Sequence, residues 1–358
     1  MYKKFFMGIA AMAALTLVSC SSEDLNSLSD NSSKGGAISF DGYLGRSAVA
    51  VNGSRGSVLD KDALKKLPET AGAFGVFGNY SKEGATLGYG ENLFMNQKVT
   101  YSEPNWTYSP YRYWLPKGHI DFLAYAPYDE KITSLTDHKS KMDFTVSSTI
   151  AEQKDLLWAN AAGQTQENNP VTFTFYHALS RIGYTVKLKK ECYNNVVIKL
   201  KSITLAGSED GATGAFYETG TIDLSTATNK PTKNANLWSN QAGQQKFDWF
   251  SGEYKVYSST AFHPDGIEKD KDYLFVIPQD FSETAADKLY VIVTYTIQYN
   301  GISEVFTNTV HKQIKQNFEQ GRAYTINLTI GSPIDFDVDV VTGWDPAEGT
   351  QIDIDSWK

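Results

Sequence analysis

The sequence predicts an all-β protein, two antiparallel β-sandwich domains in tandem, and three observations carry that expectation. Along most of the chain apolar and polar residues alternate with period two, the repeat that turns one face of an extended strand into a core and the other into water. The alternating stretches are rich in Val, Ile, Thr, Tyr and Phe, and totals of 21 Tyr and 19 Phe suit aromatic cross-strand pairs and packing between sheets. Turn residues punctuate them, as at Pro264-Asp265-Gly266 and Asn300-Gly301.

In chain order the clearest expected strands are Phe74 to Phe77, His119 to Tyr125, Val171 to Tyr176, Gly183 to Leu188, Val196 to Leu205, Tyr273 to Ile277, Leu289 to Tyr299 and Tyr324 to Ile330. Only Asp60 to Leu67 has a helical pattern, and Pro68 stops it. The polar run Ala161 to Pro170 is the expected seam between an N-terminal domain, 38–167, and a C-terminal domain, 168–358. A length of 358 residues accommodates two such domains, and no repeat of a solenoid or propeller is visible.

Composition removes several functions. The chain carries a net charge of −8 and no basic run, so it lacks the cationic footprint that binding to nucleic acid requires. Two cysteines, Cys20 and Cys192, and five scattered histidines build neither a disulfide framework nor a zinc module. No Gly-x-Ser-x-Gly, His-Glu-x-x-His or Gly-x-x-x-x-Gly-Lys motif occurs. His177 and Ser180 are close enough to suggest a base and a nucleophile, but a turn between strands explains them without a third activating group. Asp335, Asp337 and Asp339 are interleaved with Phe336, Val338 and Val340, which fits a strand with one acidic face and not a calcium loop. Ser208 to Gly211 and Asp265 to Asp272 could hold calcium weakly, but solvated acidic turns explain them better. No catalytic residue, metal site or cofactor is expected.

At the N-terminus, Lys3 and Lys4 precede an apolar stretch from Phe5 to Val18 that is too short to span a bilayer comfortably, the pattern of a signal peptide over 1–19. Its ending, Leu17-Val18-Ser19-Cys20, resembles the lipobox of bacterial lipoproteins, which implies lipidation of Cys20 and a mature chain of net charge −10. Three acyl chains there satisfy the two-chain condition for stable anchoring. Cys192 is then left alone and reads as a small buried residue. Ser21, Glu23 and Asp24 resemble the tether of outer-surface lipoproteins of the Bacteroides group, and 20–37 reads as a flexible linker.

The two ends share a pattern. Ile38, Phe40, Val49 and Val51 mark alternating segments, and Gly53-Ser54-Arg55-Gly56 follows as a small-residue stretch open to a trypsin-like protease, with Arg46 a second possible cut. Beyond Gly343-Trp344-Asp345-Pro346, the segment Gln351 to Trp357 alternates again, with Ile352, Ile354 and Trp357 on it. A terminal strand of this kind can complete its own sheet or a neighbour's, and a head-to-tail contact that does not close on itself builds a filament.

These features in order, together with Trp106-Thr107-Tyr108-Ser109-Pro110, Asp121 to Pro127, Asp155 to Ala159, His177 to Arg181, Val276 to Gln279 and Gly321 to Tyr324, resemble the fimbrillins of Bacteroides-group bacteria, in particular the Mfa-like branch. The resemblance implies two transthyretin-like sandwiches and a type V pilus subunit that reaches the outer membrane as a surface-exposed lipoprotein precursor. It further implies that an arginine-specific or trypsin-like protease removes the first strand, carried here by Ile38, Phe40, Val49 and Val51, after Arg55 or Arg46. The donor strand, with Ile352, Ile354 and Trp357, would enter the vacated groove of another subunit in an extracellular fimbria, which would then bind host or bacterial surface ligands. Stalk, anchor and tip roles stay open. The alternative is an outer-surface glycan-binding lipoprotein that stacks sugars on Trp106, Tyr108, Tyr111 and Trp114, and a flat exposed row of these rings would distinguish it.

Overall fold

Strands with continuous apolar runs lie side by side in the middle of one sheet, and alternating strands flank them and build the other sheets. The computed structural model describes residues 36–44, 63–66, 72–189, 196–225, 237–256, 273–331 and 336–342. Among these, the elements are β1 (Phe40–Leu44), helix α1 (Ala63–Lys66), β2 (Ala73–Ser81), β3 (Phe94–Ser102), β4 (Asn105–Thr107), β5 (His119–Ala126), β6 (Lys141–Thr145), β7 (Leu157–Gln164), β8 (Val171–His177) and β9 (Ser180–Leu188). They continue with β10 (Val196–Ala206), β11 (Thr219–Asp223), β12 (Trp238–Ala242), β13 (Phe247–Lys255), β14 (Leu274–Val276), β15 (Gln279–Asp280), β16 (Leu289–Tyr299), β17 (Val305–Ile314), β18 (Asn317–Phe318), β19 (Ala323–Ile330) and β20 (Phe336–Thr342). The all-β expectation holds, and the eight strands expected from alternation all form.

Seven strands make the first sheet in the order β1-β8-β7-β5-β2-β3-β4. Its central strands are buried on both faces, which is why β5 reads Ile-Asp-Phe-Leu-Ala-Tyr-Ala without clean alternation. Phe74, Val76, Phe122 and Ala124 face a core formed within the N-terminal part of the chain. On the opposite face Phe77, Leu123, Tyr125 and Trp158 join a larger core that also holds Ile182, Ile203, Phe216, Trp238 and Val293. Gly75 lets this happen, since a Cβ there would lie 2.3 Å from the Tyr125 ring.

Residues from 180 onward build two four-stranded sheets, β13-β10-β16-β17 and β14-β9-β19-β20, with β9 and β19 parallel. Alternating burial along β10, β16 and β19 sends one face of each strand into the larger core. The Asn300-Gly301 turn joins β16 to β17, with Gly301 at φ +83°.

The polar run Ala161 to Pro170 is not a seam. It joins β7 to β8 inside one sheet, and the chain leaves that sheet only after His177. Interleaving goes further, because β6 pairs with β11 in the sheet β12-β11-β6 and so ties residues 141–145 to the second half. Hydrogen bonding to β11 outweighs the polar composition that suggested a boundary at 167/168.

Candidate functional site: the groove of the first strand

The first strand closes the N-terminal sheet. On one side β1 pairs in parallel with β8, Phe40 opposite Val171, Gly42 opposite Phe173 and Leu44 opposite Phe175. On the other side Ala37 bridges to Tyr113, the Ile38 amide donates to Arg112 O (2.8 Å), and the Trp114 amide donates to Gly36 O (3.2 Å). The segment is therefore a strand in a groove, with hydrogen-bonded walls to left and right.

Alternation sorts its side chains. Ile38 and Phe40 point into the core, 1% and 4% exposed, while Asp41 faces water. The Phe40 ring meets Phe94, Tyr108, Phe122 and Phe173 at centroid distances of 5.6, 5.3, 5.5 and 5.7 Å. Gly42 has no side chain where a Cβ would come within 3.2 Å of the Phe175 ring and 3.8 Å of Leu64 of α1, so strand and helix approach closely there.

Two polar side chains grip the backbone of the segment. The Tyr108 hydroxyl donates to Ile38 O (2.8 Å) and accepts from the Arg112 amide (3.2 Å). Burial is the main cause that pushes its phenol up to about 12, partly offset by the Arg112 hydrogen bond. Asn169 accepts from the Ser39 amide (2.8 Å) and hydroxyl (3.0 Å) and donates to Ala37 O (3.1 Å). Neither was singled out for this role in the sequence. Tyr108 reads as one ring of an aromatic patch, and Asn169 sits in the polar run expected as a domain seam. Next to Trp114 a cleft of about 650 Å³ opens between Lys117, His119 and Gln166.

At the far end of β8 the motifs Asp155 to Ala159 and His177 to Arg181 come together. His177 Nδ1 lies 2.7 Å from Asp155 Oδ2, both side chains buried, and the Ala178 amide donates to Leu156 O. Ser180 Oγ donates instead to Glu319 O (2.7 Å). His177 and Ser180 therefore serve different contacts, and the pair knots β7 to β8 where the chain changes sheets. The Ser208 to Gly211 loop is a turn fastened to its neighbours, with Lys246 Nζ donating to Gly211 O (3.0 Å) and Glu209 3.3 Å from His311. Hydrogen bonds from the Ser208 hydroxyl and then the Ala212 amide hold the Asp210 carboxyl below its ordinary range. Asp337 and Asp339 lie on β20, paired with Thr329 and Asn327, as a strand and not a calcium loop.

Of the other expected site residues, Cys20, Arg46, Val49, Val51, Arg55, Cys192, Ile352, Ile354 and Trp357 lie outside the described residues, as do Asp335 and Asp265 to Asp272. The glycan platform does not form. Trp106, Tyr108 and Trp114 are buried in the N-terminal core and only Tyr111 is open, 52% exposed, because the first strand and the Phe74 and Phe122 rings pack against the others.

Comparison with known proteins agrees with this architecture. The chain is 25% identical over 377 residues to the fimbrium subunit Fim1C of Phocaeicola vulgatus, a match that covers 90% of this chain and 91% of that protein. A crystal structure of a fimbrial protein from Bacteroides vulgatus superposes with a TM-score of 0.63 at 20% identity, over 86% of this chain and 99% of that one, so the two share a fold. The sequence profile described as fimbrillin-like (Mfa-like) matches residues 68–348, most of the chain, and the protein belongs to that family.

Proposed function

We propose that this protein is a structural subunit of a cell-surface fimbria and polymerises by exchange of its first strand. The observation that supports this reading most is the place of β1, at the closing edge of the N-terminal sheet, with Phe40 in an aromatic socket, Ile38 buried in the same core and Arg46 and Arg55 just downstream in sequence. Removing such a strand leaves a groove with unpaired backbone on two sides and apolar sockets inside, a template for an incoming strand. Membership of the fimbrillin-like family and the name of the Phocaeicola vulgatus relative point the same way.

In this reading Cys20 is acylated and the precursor reaches the outer face of the outer membrane. An arginine-specific or trypsin-like protease then cuts after Arg55 or Arg46. The donor is Gln351 to Trp357, whose Ile352-Asp353-Ile354-Asp355 repeats the order apolar, polar, apolar, Asp of Ile38-Ser39-Phe40-Asp41. Ile352 would then take the Ile38 socket and Ile354 that of Phe40. The two halves act as tandem transthyretin-like domains, with the handover at His177.

The test is limited trypsin digestion of the full chain, followed by N-terminal sequencing and electron microscopy. Polymers whose subunits begin at Ser47 or Gly56 are expected, and a chain lacking 351–358 should be cut but stay monomeric. Polymers forming equally well without 351–358 would sink the donor assignment. A surface form that still begins at Cys20 would rule out cleavage as the trigger.

A further inference from the structure

Among the described residues, the sheet β13-β10-β16-β17 has two outer strands with different chemistry. β13 meets β10 through two register shifts and carries Asp248, Glu253 and Lys255. Irregularity and charge are the usual means by which an edge avoids recruiting another strand. β17 has neither along its first six residues. Val305-Phe306-Thr307-Asn308-Thr309-Val310 is uncharged, and β17 keeps an unbroken register of ten pairs with β16. It also leaves Val305 53% and Phe306 43% exposed, with Ile302 49% exposed on the adjoining turn. An unblunted edge of this length, with apolar side chains in water, is a site for strand pairing.

We propose that β17 pairs antiparallel with β17 of a second copy of this chain, about a two-fold axis at Asn308. The sequence is complementary to itself in that register. Phe306 falls opposite Val310, Thr307 opposite Thr309 and Val305 opposite His311, while Glu304 falls opposite Lys312. Moving the axis to Thr307 sets Glu304 against Val310 and Phe306 against Asn308, and moving it to Thr309 sets Phe306 against Lys312. Of these three axes, only the one at Asn308 sets Glu304 against a basic residue and Phe306 against an apolar one, so it fixes both orientation and register. The contact is isologous and joins two four-stranded sheets edge to edge. It lies in the half of the chain away from β1 and does not depend on strand exchange, so in a fimbria it would act sideways, between neighbouring filaments.

Sedimentation velocity over a concentration series tests this, on the full chain with Cys20 and Cys192 replaced by Ser. A monomer–dimer equilibrium is expected. Because the two-fold repeats the Glu304–Lys312 contact, Glu304→Lys alone or Lys312→Glu alone should weaken dimerisation about ten-fold, and the double exchange should restore it. Asn308→Cys, on the axis, should form a disulfide-linked dimer under mild oxidation, while Ser251→Cys on β13 should not. A chain that stays monomeric at all concentrations overturns the proposal. So does a double exchange no better than either single one, or a monomer whose β17 amides are already protected from hydrogen exchange by another segment of the same chain.

Discussion

Replacing Phe40 with Ala is the sharpest probe of the groove. The ring is almost fully buried and in contact with four aromatic rings, so truncation removes its transfer free energy and leaves a cavity that rigid neighbours fill poorly. Buried Phe→Ala changes cost about 3–5 kcal/mol. Because β1 is a short edge strand tied mainly by this ring, by Ile38 and by backbone hydrogen bonds, the loss should fall on the local opening of β1. Native-state hydrogen exchange reads it directly. The Val171 amide, which donates to Ser39 O, and the Trp114 amide, which donates to Gly36 O, should lose protection by two to three orders of magnitude. Amides of β16 should keep theirs, and Asp41→Ala, facing water, should change stability by less than about 0.5 kcal/mol. A drop below about 1 kcal/mol at Val171 and Trp114, or an equal drop in β16, would refute the view that Phe40 is the local latch of β1.

Other expectations follow from the same contacts. Tyr108 has its phenol raised to about 12 by burial, against 10.0 for the free side chain. Its stabilising contribution is therefore complete below pH 10 and is lost as pH rises toward 12, so the difference in unfolding free energy between wild type and Tyr108→Phe should shrink across that window. At neutral pH the same variant, having lost the hydrogen bond to Ile38 O, should be less stable by about 1 kcal/mol in denaturant titration. Asn169→Ala strips one acceptor and one donor from the backbone of the first strand and should speed trypsin entry at Arg46 and Arg55 several-fold, measured as the rate of loss of intact chain. Asp155→Ala removes the carboxylate beside buried His177 and should cost about 1.5–3 kcal/mol, the range for a hydrogen bond to a charged group, seen as a lower urea midpoint with unchanged slope.

Alternation with period two was enough to place β8, β10, β16 and β19, because each has one wet and one dry face and the pattern records that directly. It also placed Ile38 and Phe40 on one face. Tyr108 and Asn169 escaped because their roles depend on a backbone more than sixty residues away, and neither spacing nor composition encodes such a distance. β6 carries Met142 buried between exposed Lys141 and Asp143, but a five-residue strand cannot announce that its partner is β11. β17 was missed for a different reason. Its burial does alternate, half-buried at Asn308, Val310 and Lys312 and exposed at Thr307, Thr309 and His311, but the inward positions carry Asn and Lys beside Val, so the residue types do not record the alternation.

The grip on β1 also explains why a cut would be needed for exchange. Burying Ile38 and Phe40 contributes about 1.5–3 kcal/mol each, an amount that a donor with two apolar residues at the same spacing could match. Residues 45–62, however, connect β1 to α1, whose Leu64 is buried in the same core, so the resident strand is held in place by its own covalent link. A linker of that kind sets an effective concentration in the millimolar range. A donor from another subunit at about micromolar concentration would compete at a thousand-fold disadvantage, about 4 kcal/mol, even with identical contacts. Cleavage at Arg46 or Arg55 removes that advantage and leaves the contacts of Ile38 and Phe40 in place. Comparing displacement of β1 by a synthetic 351–358 peptide before and after the cut isolates this factor, and equal displacement in both states would show that the link is not what holds the strand.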